Sequence, residues 1–377
     1  MDYGKLFESD ISSEAVKKWR QQGKKALGVI CCHVPEEIFH AAGVLPVRMR
    51  ATGCVDASEA EMWMSSFSCS FAKSVLQYWL EGRYELDGIV ASDGCIMASR
   101  IYDNAEYINR TRNKGQTIIQ IAAPRKHTAR TVPFYVNELR DLIEALEEIT
   151  GEKITEEKLK ASVEVYNEAR ELIKELYELR KEKNPVISGV EALQITLSKT
   201  NMPIEEYIDL LKAFLEDAKN RKPQDSWRAR LMIIGSALDD PEYLRVIEEK
   251  GGLIVTDALC FGQMQFREPI EMRDDEDVLT SIADYYLKRV VCPRMMDVHE
   301  ELHDFIIQSV REFSCDGVIY QRMQNCECWG GENILLEKKL KDVGIPQITV
   351  EREQHMANIG QLAVRAEAFI EMVEKEV

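Results

Sequence analysis

The chain has 377 residues, of which 45% are hydrophobic, so we expect two or three domains with a substantial buried core. Its formal net charge of −17 argues against nucleic acid, because phosphates attract Lys and Arg, and gives no reason to expect an anionic membrane as partner. The sequence shows no apolar signal core and no run near the roughly 18 apolar residues of a membrane-spanning helix, so we expect a cytoplasmic protein.

In the first part of the chain, short apolar runs alternate with helical patterns. The apolar runs predict strands over 25–32, 86–92 and 115–124. Helical periodicity predicts helices over 35–43 and 65–82. Strands that alternate with helices imply a mostly parallel sheet with helices on its faces. We therefore expect an N-terminal α/β domain over residues 1–150.

The middle of the chain is typical of long, charged helices, and 154–184 is the clearest of them. Its charges at helical spacing favour a solvated face over a binding patch. We expect a helical connector over 151–225.

A second α/β domain follows over 226–377, with an amphipathic helix at its end. Its predicted strands cover 230–237, 251–260, 289–292, 315–323 and 345–353. The predicted fold class is thus α/β, with two Rossmann-like parallel-sheet domains joined by a helical connector.

Four of the ten cysteines follow the carboxyl end of a predicted strand, namely Cys32, Cys95, Cys260 and Cys326. In open α/β sheets, ligands bind in the crevice beyond these strand ends. A nearby helix N-terminus also lowers the pKa of a thiol and stabilises its thiolate. Because a reducing cytosol disfavours disulfides, we expect free thiols or metal ligands. Dispersed thiolates around a crevice are typical of an iron–sulfur cluster.

Other cysteines allow a simpler interpretation. Cys54 and Cys315 are expected to be small buried hydrophobes. Cys31 should point away from Cys32 if the strand continues through both, which favours a place in the core. For Cys328 the sequence leaves both interpretations open.

Among the remaining polar side chains, Glu37 and Glu332 are candidates for a proton shuttle, since both lie near cysteines in the sequence. The alternative is that they only face the dipole of a helix N-terminus. His299 and His303 share a helical face, for which a solvated surface is favoured over a metal pair. A nucleotide- or CoA-binding protein with incidental cysteines is a further alternative, but the chain has neither GxGxxG nor GxxxxGK[ST].

Three segments together are specific: "CCHVPEEIFHAAGVLPVR", "FSCSFAKSVLQYWLEGRYELDGIVASDGC" and "DGVIYQRMQNCECWGGE" with the following "VGIPQITVEREQ". In this order they resemble the 2-hydroxyacyl-CoA dehydratase / benzoyl-CoA reductase family over almost the whole chain. The resemblance implies a 4Fe-4S cluster bound by Cys32, Cys95 and Cys326. It also implies a homodimer or a heterodimer with a homologous subunit, an acyl-CoA substrate, and a separate iron–sulfur activator that hydrolyses ATP and supplies a low-potential electron. ATP would act only through that partner.

A further branch of the family holds a double-cubane 8Fe-9S cluster and reduces small molecules. Here Cys69, Cys260 and Cys292 could complete such a cluster with the first three cysteines. The chain departs from common family patterns at two places, where Val34 precedes Pro35 and Ile96 follows Cys95. The dehydratase, the reductase, the double-cubane reductase and a non-catalytic electron-transfer subunit therefore all stay open.

Overall fold

The computed structural model describes residues 2–8, 10–11, 14–289, 292–356 and 359–374. Within them lie two four-stranded sheets in which every pair of neighbouring strands is parallel. The first sheet has the order β2-β1-β3-β4 and the second the order β6-β5-β7-β8. The same strand order therefore occurs twice, and the predicted α/β fold with two parallel sheets is confirmed. The strands are β1 Ala26–Ile30, β2 Leu45–Arg48, β3 Gly88–Ser92, β4 Thr117–Ile121, β5 Ala229–Gly235, β6 Gly252–Ala258, β7 Gly317–Met323 and β8 Gln347–Arg352.

Helices cover the sheets and also form the part of the chain that connects the two sheets. In the first half they are α1 Glu14–Gln21, α2 Glu36–Ala41, α3 Ser58–Glu61, α4 Ser70–Leu80, α5 Ile96–Thr111, α6 Thr131–Thr150 and α7 Glu156–Glu178. In the second half they are α8 Gly189–Ser198, α9 Ile204–Ala218, α10 Glu242–Glu249, α11 Val278–Lys288, α12 His299–Glu312, α13 Glu327–Asp342 and α14 Ile359–Glu374. Short 3-10 turns occur at Gly4–Phe7, Lys199–Asn201 and Gln263–Gln265. None of the described helices is long and apolar enough to cross a membrane.

Two strand predictions differ from the structure. Strand β2 was not predicted, because it is short and contains Pro46, which only an edge strand accommodates well. The strand predicted over 289–292 is wrong at both described ends: Arg289 follows directly after α11, and Cys292 lies in a bend. Val290 and Val291 lie outside the described residues.

The carboxyl ends of the two sheets face each other, and polar contacts join them. After β5, the Asp239 carboxylate accepts the backbone N–H of Ala51, which follows β2, at 2.6 Å. It also accepts the side-chain amide of Gln354, which follows β8, at 2.6 Å. The backbone N–H of Gln354 in turn donates to Ser70 at the start of α4, at 2.8 Å. The residues after the strands of one sheet are thus fixed against those of the other.

The helices between the sheets pack on both halves. For example, α6 packs against α11, and Leu142 and Ile282 share one hydrophobic cluster. The N-terminus of α7 is capped by Thr155, whose hydroxyl accepts from the Lys158 backbone N–H at 3.3 Å. The division of the chain at residues 150 and 225 stays a prediction.

Candidate functional site

A cavity of about 140 Å³ lies where the carboxyl ends of the two sheets meet. Eight of the ten cysteines line it, namely Cys31, Cys32, Cys69, Cys95, Cys260, Cys292, Cys326 and Cys328. All six cysteines singled out in the sequence are in this set, and Cys31 and Cys328 join them. Cys54 and Cys315 are not among the lining residues. The two sheets therefore bring thiols that are nearly 300 residues apart in sequence to one place.

Strand-to-helix turns position most of these thiols. Cys95, after β3, is the N-cap residue of α5, and Cys326, after β7, is the N-cap residue of α13. Cys69 holds the same position at α4, and Cys260 lies two residues after β6. In both sheets the cavity borders the point where the strand order reverses, between β1 and β3 and between β5 and β7. This is the place where open α/β sheets bind ligands.

Cys31 lines the cavity, contrary to the expected place in the core. Strand β1 already ends at Ile30, and Cys31 has a φ of +80°, so the alternation of side chains along a strand does not apply. A glycine on the neighbouring turn makes room for it, because a Cβ at Gly94 would lie 2.5 Å from Cys31 Sγ. Both adjacent thiols can thus face the same space.

Two thiol pairs are hydrogen bonded in the cavity, Cys31 with Cys32 and Cys292 with Cys328. The bond from Cys32, together with the charges of Arg294 and Arg48, holds the pKa of Cys31 well below its usual range. The bond from Cys292 lowers the pKa of Cys328 in the same way. In each pair, one cysteine (Cys31 or Cys328) is therefore favoured as the thiolate. The other (Cys32 or Cys292) stays protonated and donates a hydrogen bond to it.

Burial has the opposite effect on the other thiols. It raises the pKa of Cys69 to about 12 and that of Cys260 to about 11, and it also raises the pKa of Cys95. These groups stay protonated at neutral pH unless a bound cation takes the place of the proton. A thiolate at any of these three positions therefore requires a positive charge close to it.

Buried arginines supply part of that positive charge. Arg48 and Arg294 both line the cavity and are only 6% and 5% exposed. The Arg48 guanidinium stacks over the ring of Phe261, 4.9 Å from its centroid, and the thiols of Cys32 and Cys260 raise its pKa against the effect of burial. Arg294 has a buried Nε without a hydrogen-bond partner. These charges suit an anionic group in the cavity.

Thiolates are soft donors of the kind that bind iron–sulfur clusters. Within the described ranges, no three His, Cys, Asp or Glu side chains converge closely enough to hold one metal ion. The thiols instead surround a space, which is the arrangement that a cluster of several ions requires. The donor type, the spread of the thiols and the buried arginines together fit such a group.

The two candidate acids have different surroundings. Glu37 is fully buried, and its carboxylate is held by Arg170 and by the Tyr286 hydroxyl, which donates at 2.8 Å. The charge of Arg170 lowers the pKa of Glu37 despite burial, and Glu37 does not line the cysteine cavity.

Glu332 is also buried, on α13, but its partners are two histidines. The hydrogen bonds from His303 and His299 lower its pKa against the effect of burial. The solvated face expected for this histidine pair is wrong for His303, which is 3% exposed because α13 covers it.

The fold and the cavity define a two-domain α/β protein with a cysteine-lined site between its sheets. A model of the family described as 2-hydroxyglutaryl-CoA dehydratase, D-component, matches residues 31–373, so the chain belongs to this family. This confirms the resemblance found in the sequence.

Similar proteins cover nearly the whole chain. The beta subunit of (R)-phenyllactyl-CoA dehydratase from Clostridium sporogenes is 24% identical over 94% of this chain and 94% of that protein. A benzoyl-CoA reductase subunit from Thauera aromatica is 23% identical over 98% of this chain and 96% of that protein. The beta subunit of (R)-2-hydroxyglutaryl-CoA dehydratase from Acidaminococcus fermentans is 24% identical over 94% of each.

Proposed function

We propose that this chain is the iron–sulfur subunit of a low-potential dehydratase or reductase that acts on acyl-CoA thioesters. The eight cysteines that line one cavity are the observation that carries the proposal. A cluster bound there would supply single electrons at low potential. Similar proteins that are named as subunits of acyl-CoA dehydratases and of a benzoyl-CoA reductase support the substrate class.

The roles of this chain's own residues follow from their positions. Cys32, Cys95 and Cys326 would hold a 4Fe-4S cluster, and Arg48 and Arg294 would offset its negative charge. We assign the proton role to Glu332 rather than to Glu37. The Glu37 carboxylate is held by Arg170, a permanent cation, and by Tyr286, whereas the Glu332 carboxylate meets two imidazoles, which are groups that gain and release protons.

The partners are also part of the proposal. The similar proteins are each named as one subunit of a dehydratase or reductase, which favours pairing with a homologous subunit. An iron–sulfur activator that hydrolyses ATP would deliver the electron, since this chain carries no phosphate-binding loop motif.

A second candidate is a double-cubane 8Fe-9S reductase of small molecules. One observation favours it: Cys69, Cys260 and Cys292 line the same cavity as Cys32 and the other two proposed ligands. A simple 4Fe-4S site does not need this second set.

Anaerobic purification followed by iron and acid-labile sulfide analysis tests the proposal. We expect about four irons per chain for one cubane and about eight for the double cubane. Replacement of Cys326 by serine should lower the iron content in both cases, and replacement of Cys260 only in the second. Cys54→Ser is the matched control, because Cys54 is buried but does not line the cavity.

A colourless protein without iron or sulfide would refute the proposal. If the protein holds iron, incubation with an activator and acyl-CoA substrates separates an enzyme from an electron-transfer subunit. An isolated chain that becomes reduced but converts no substrate would be the non-catalytic member of a heterodimer.

A further inference from the structure

The Glu332 carboxylate joins two histidines of the neighbouring helix. His299 Nδ1 lies 2.7 Å from one carboxylate oxygen, and His303 Nε2 lies 2.5 Å from the other. The side chains of Glu332 and His303 are 1% and 4% exposed, whereas that of His299 is 46% exposed. The network therefore runs from solvent at His299 to the interior at His303.

Residues 299–303 read His-Glu-Glu-Leu-His, the spacing of a helical zinc motif. In such a motif both imidazoles turn toward one ion. Here each imidazole meets a different oxygen of one carboxylate, and the described part of the chain contains no group of three ligands for a single ion. The contacts are those of a hydrogen-bond network.

This network lies one helical turn from the cysteine cavity, although none of its three side chains lines that cavity. On α13, Cys328 lines the cavity and precedes Glu332 by four residues, so their Cβ atoms lie about 5–6 Å apart on one face of the helix. Trp329, one residue later, lines the cavity too, and its carbonyl accepts the Tyr320 hydroxyl at 2.5 Å. Cys292 precedes α12, the helix that carries both histidines. The segments that bring Cys292 and Cys328 together therefore also carry the network.

The net charge of the network depends on whether it holds an extra proton. With two neutral imidazoles, each donating one N–H to Glu332, the network carries one buried negative charge, which is unfavourable. Uptake of one proton makes it neutral. The other charged groups nearby are Glu300 and Asp304 on α12 and Lys339 on α13, and Lys339 is paired with Glu300 at 2.5 Å. Tyr320 faces the network from β7.

We propose that His299, Glu332 and His303 take up one proton from solvent for each electron that enters the cysteine cavity. The proton enters from solvent at the exposed ring of His299 and is held on an imidazole nitrogen of the network. The positive charge gained equals the negative charge that the electron adds, and no other bond forms or breaks. This inference rests on the proposed iron–sulfur function. It explains why the buried end of the network lies close to the thiols.

The test is the pH dependence of the reduction potential of the anaerobically purified protein, followed by electron paramagnetic resonance and visible absorption between pH 6.5 and 8.5. If one proton is taken up with each electron, the equilibrium constant of reduction changes tenfold for each pH unit. This corresponds to a change of about 59 mV in the reduction potential. We expect the wild-type potential to fall with this slope and the Glu332→Gln and His303→Gln variants to lose it. His127→Gln is the matched control, since it removes another histidine–carboxylate pair, His127 with Asp284 at 2.7 Å, outside the cavity.

Iron-loaded wild-type protein with a pH-independent potential would overturn the inference without using any variant. So would a Glu332→Gln variant that folds, holds iron and keeps the slope. Zinc titration is a further check, because tight binding of one zinc that requires Glu332 would make the network a metal site instead. Absence of iron and sulfide, in contrast, would refute the proposed function itself.

Discussion

Glu248 at the end of α10 makes the stability of this protein depend on pH in a direction opposite to most carboxylates. Its Oε1 accepts the backbone N–H of Gly189 at the start of α8 at 2.6 Å and that of Ile254 at 3.3 Å. Burial nevertheless raises the pKa of Glu248 from 4.5 to about 7. The folded protein therefore holds a proton on Glu248 at pH values where the unfolded chain has released it.

The size of the effect follows from the shift. One pKa unit corresponds to about 1.4 kcal/mol, so a shift from 4.5 to about 7 is worth about 3 kcal/mol. The protonated carboxyl contributes its full stability below pH 4.5, and this contribution is lost as the pH rises through 7. Because Glu248 is only half-buried, solvent reduces the effect to about 2–3 kcal/mol.

Glu248→Gln keeps an oxygen that can accept the Gly189 N–H but removes the titration. We expect the free energy of unfolding of the variant to equal that of the wild type near pH 4.5 and to exceed it by about 2–3 kcal/mol at pH 8. Urea unfolding at both pH values, followed by circular dichroism, measures the difference. Glu249→Gln, at the exposed next residue, is the control and should show no such pH dependence. A Glu248→Gln effect of the same size at both pH values would refute the reasoning.

Three further predictions concern the core and the cavity. Arg170→Met leaves the Glu37 carboxylate buried without its cation, so we expect the free energy of unfolding to fall by about 3–5 kcal/mol. Thermal unfolding measures this, and an unchanged melting temperature would contradict it. Gly235→Ala should prevent folding, because Gly235 has a φ of +127° and a Cβ there would lie 1.9 Å from the Gln321 carbonyl oxygen; soluble, native-like variant protein would argue otherwise. Arg48→Gln removes a positive charge beside the thiols and should make the reduction potential of the proposed cluster more negative in a redox titration. An equal or higher potential would contradict the role proposed for this arginine.

Much of the fold could be predicted because its strands are short apolar runs at regular intervals. The run 86–92, for example, contains β3, and 230–237 overlaps β5. Local sequence patterns gave wrong secondary structure where tertiary packing determines the conformation. Pro46 concealed the edge strand β2, and Arg289 follows directly after α11, although the sequence around it favours a strand.

At the site, the sequence could place cysteines after strands but not determine which way their side chains point. The left-handed conformation of Cys31 turns a thiol that was expected in the core into the cavity. Arg294 could not be found from its surroundings in the sequence, since only the fold buries it among the thiols. The buried position of His303 was missed for the same reason: its partner Glu332 lies on another helix.

The position of the cysteine cavity also has a mechanical consequence. Cys32 and Cys95 belong to the half of the molecule built on the first sheet, and Cys260 and Cys326 to the half built on the second. A group bound to both sets ties the two halves together covalently and resists any hinge motion that would part them. Such a group would add to the polar contacts of Asp239, Gln354 and Ser70, which already join the two halves. Loss of the bound group would remove this added constraint and leave those polar contacts in place.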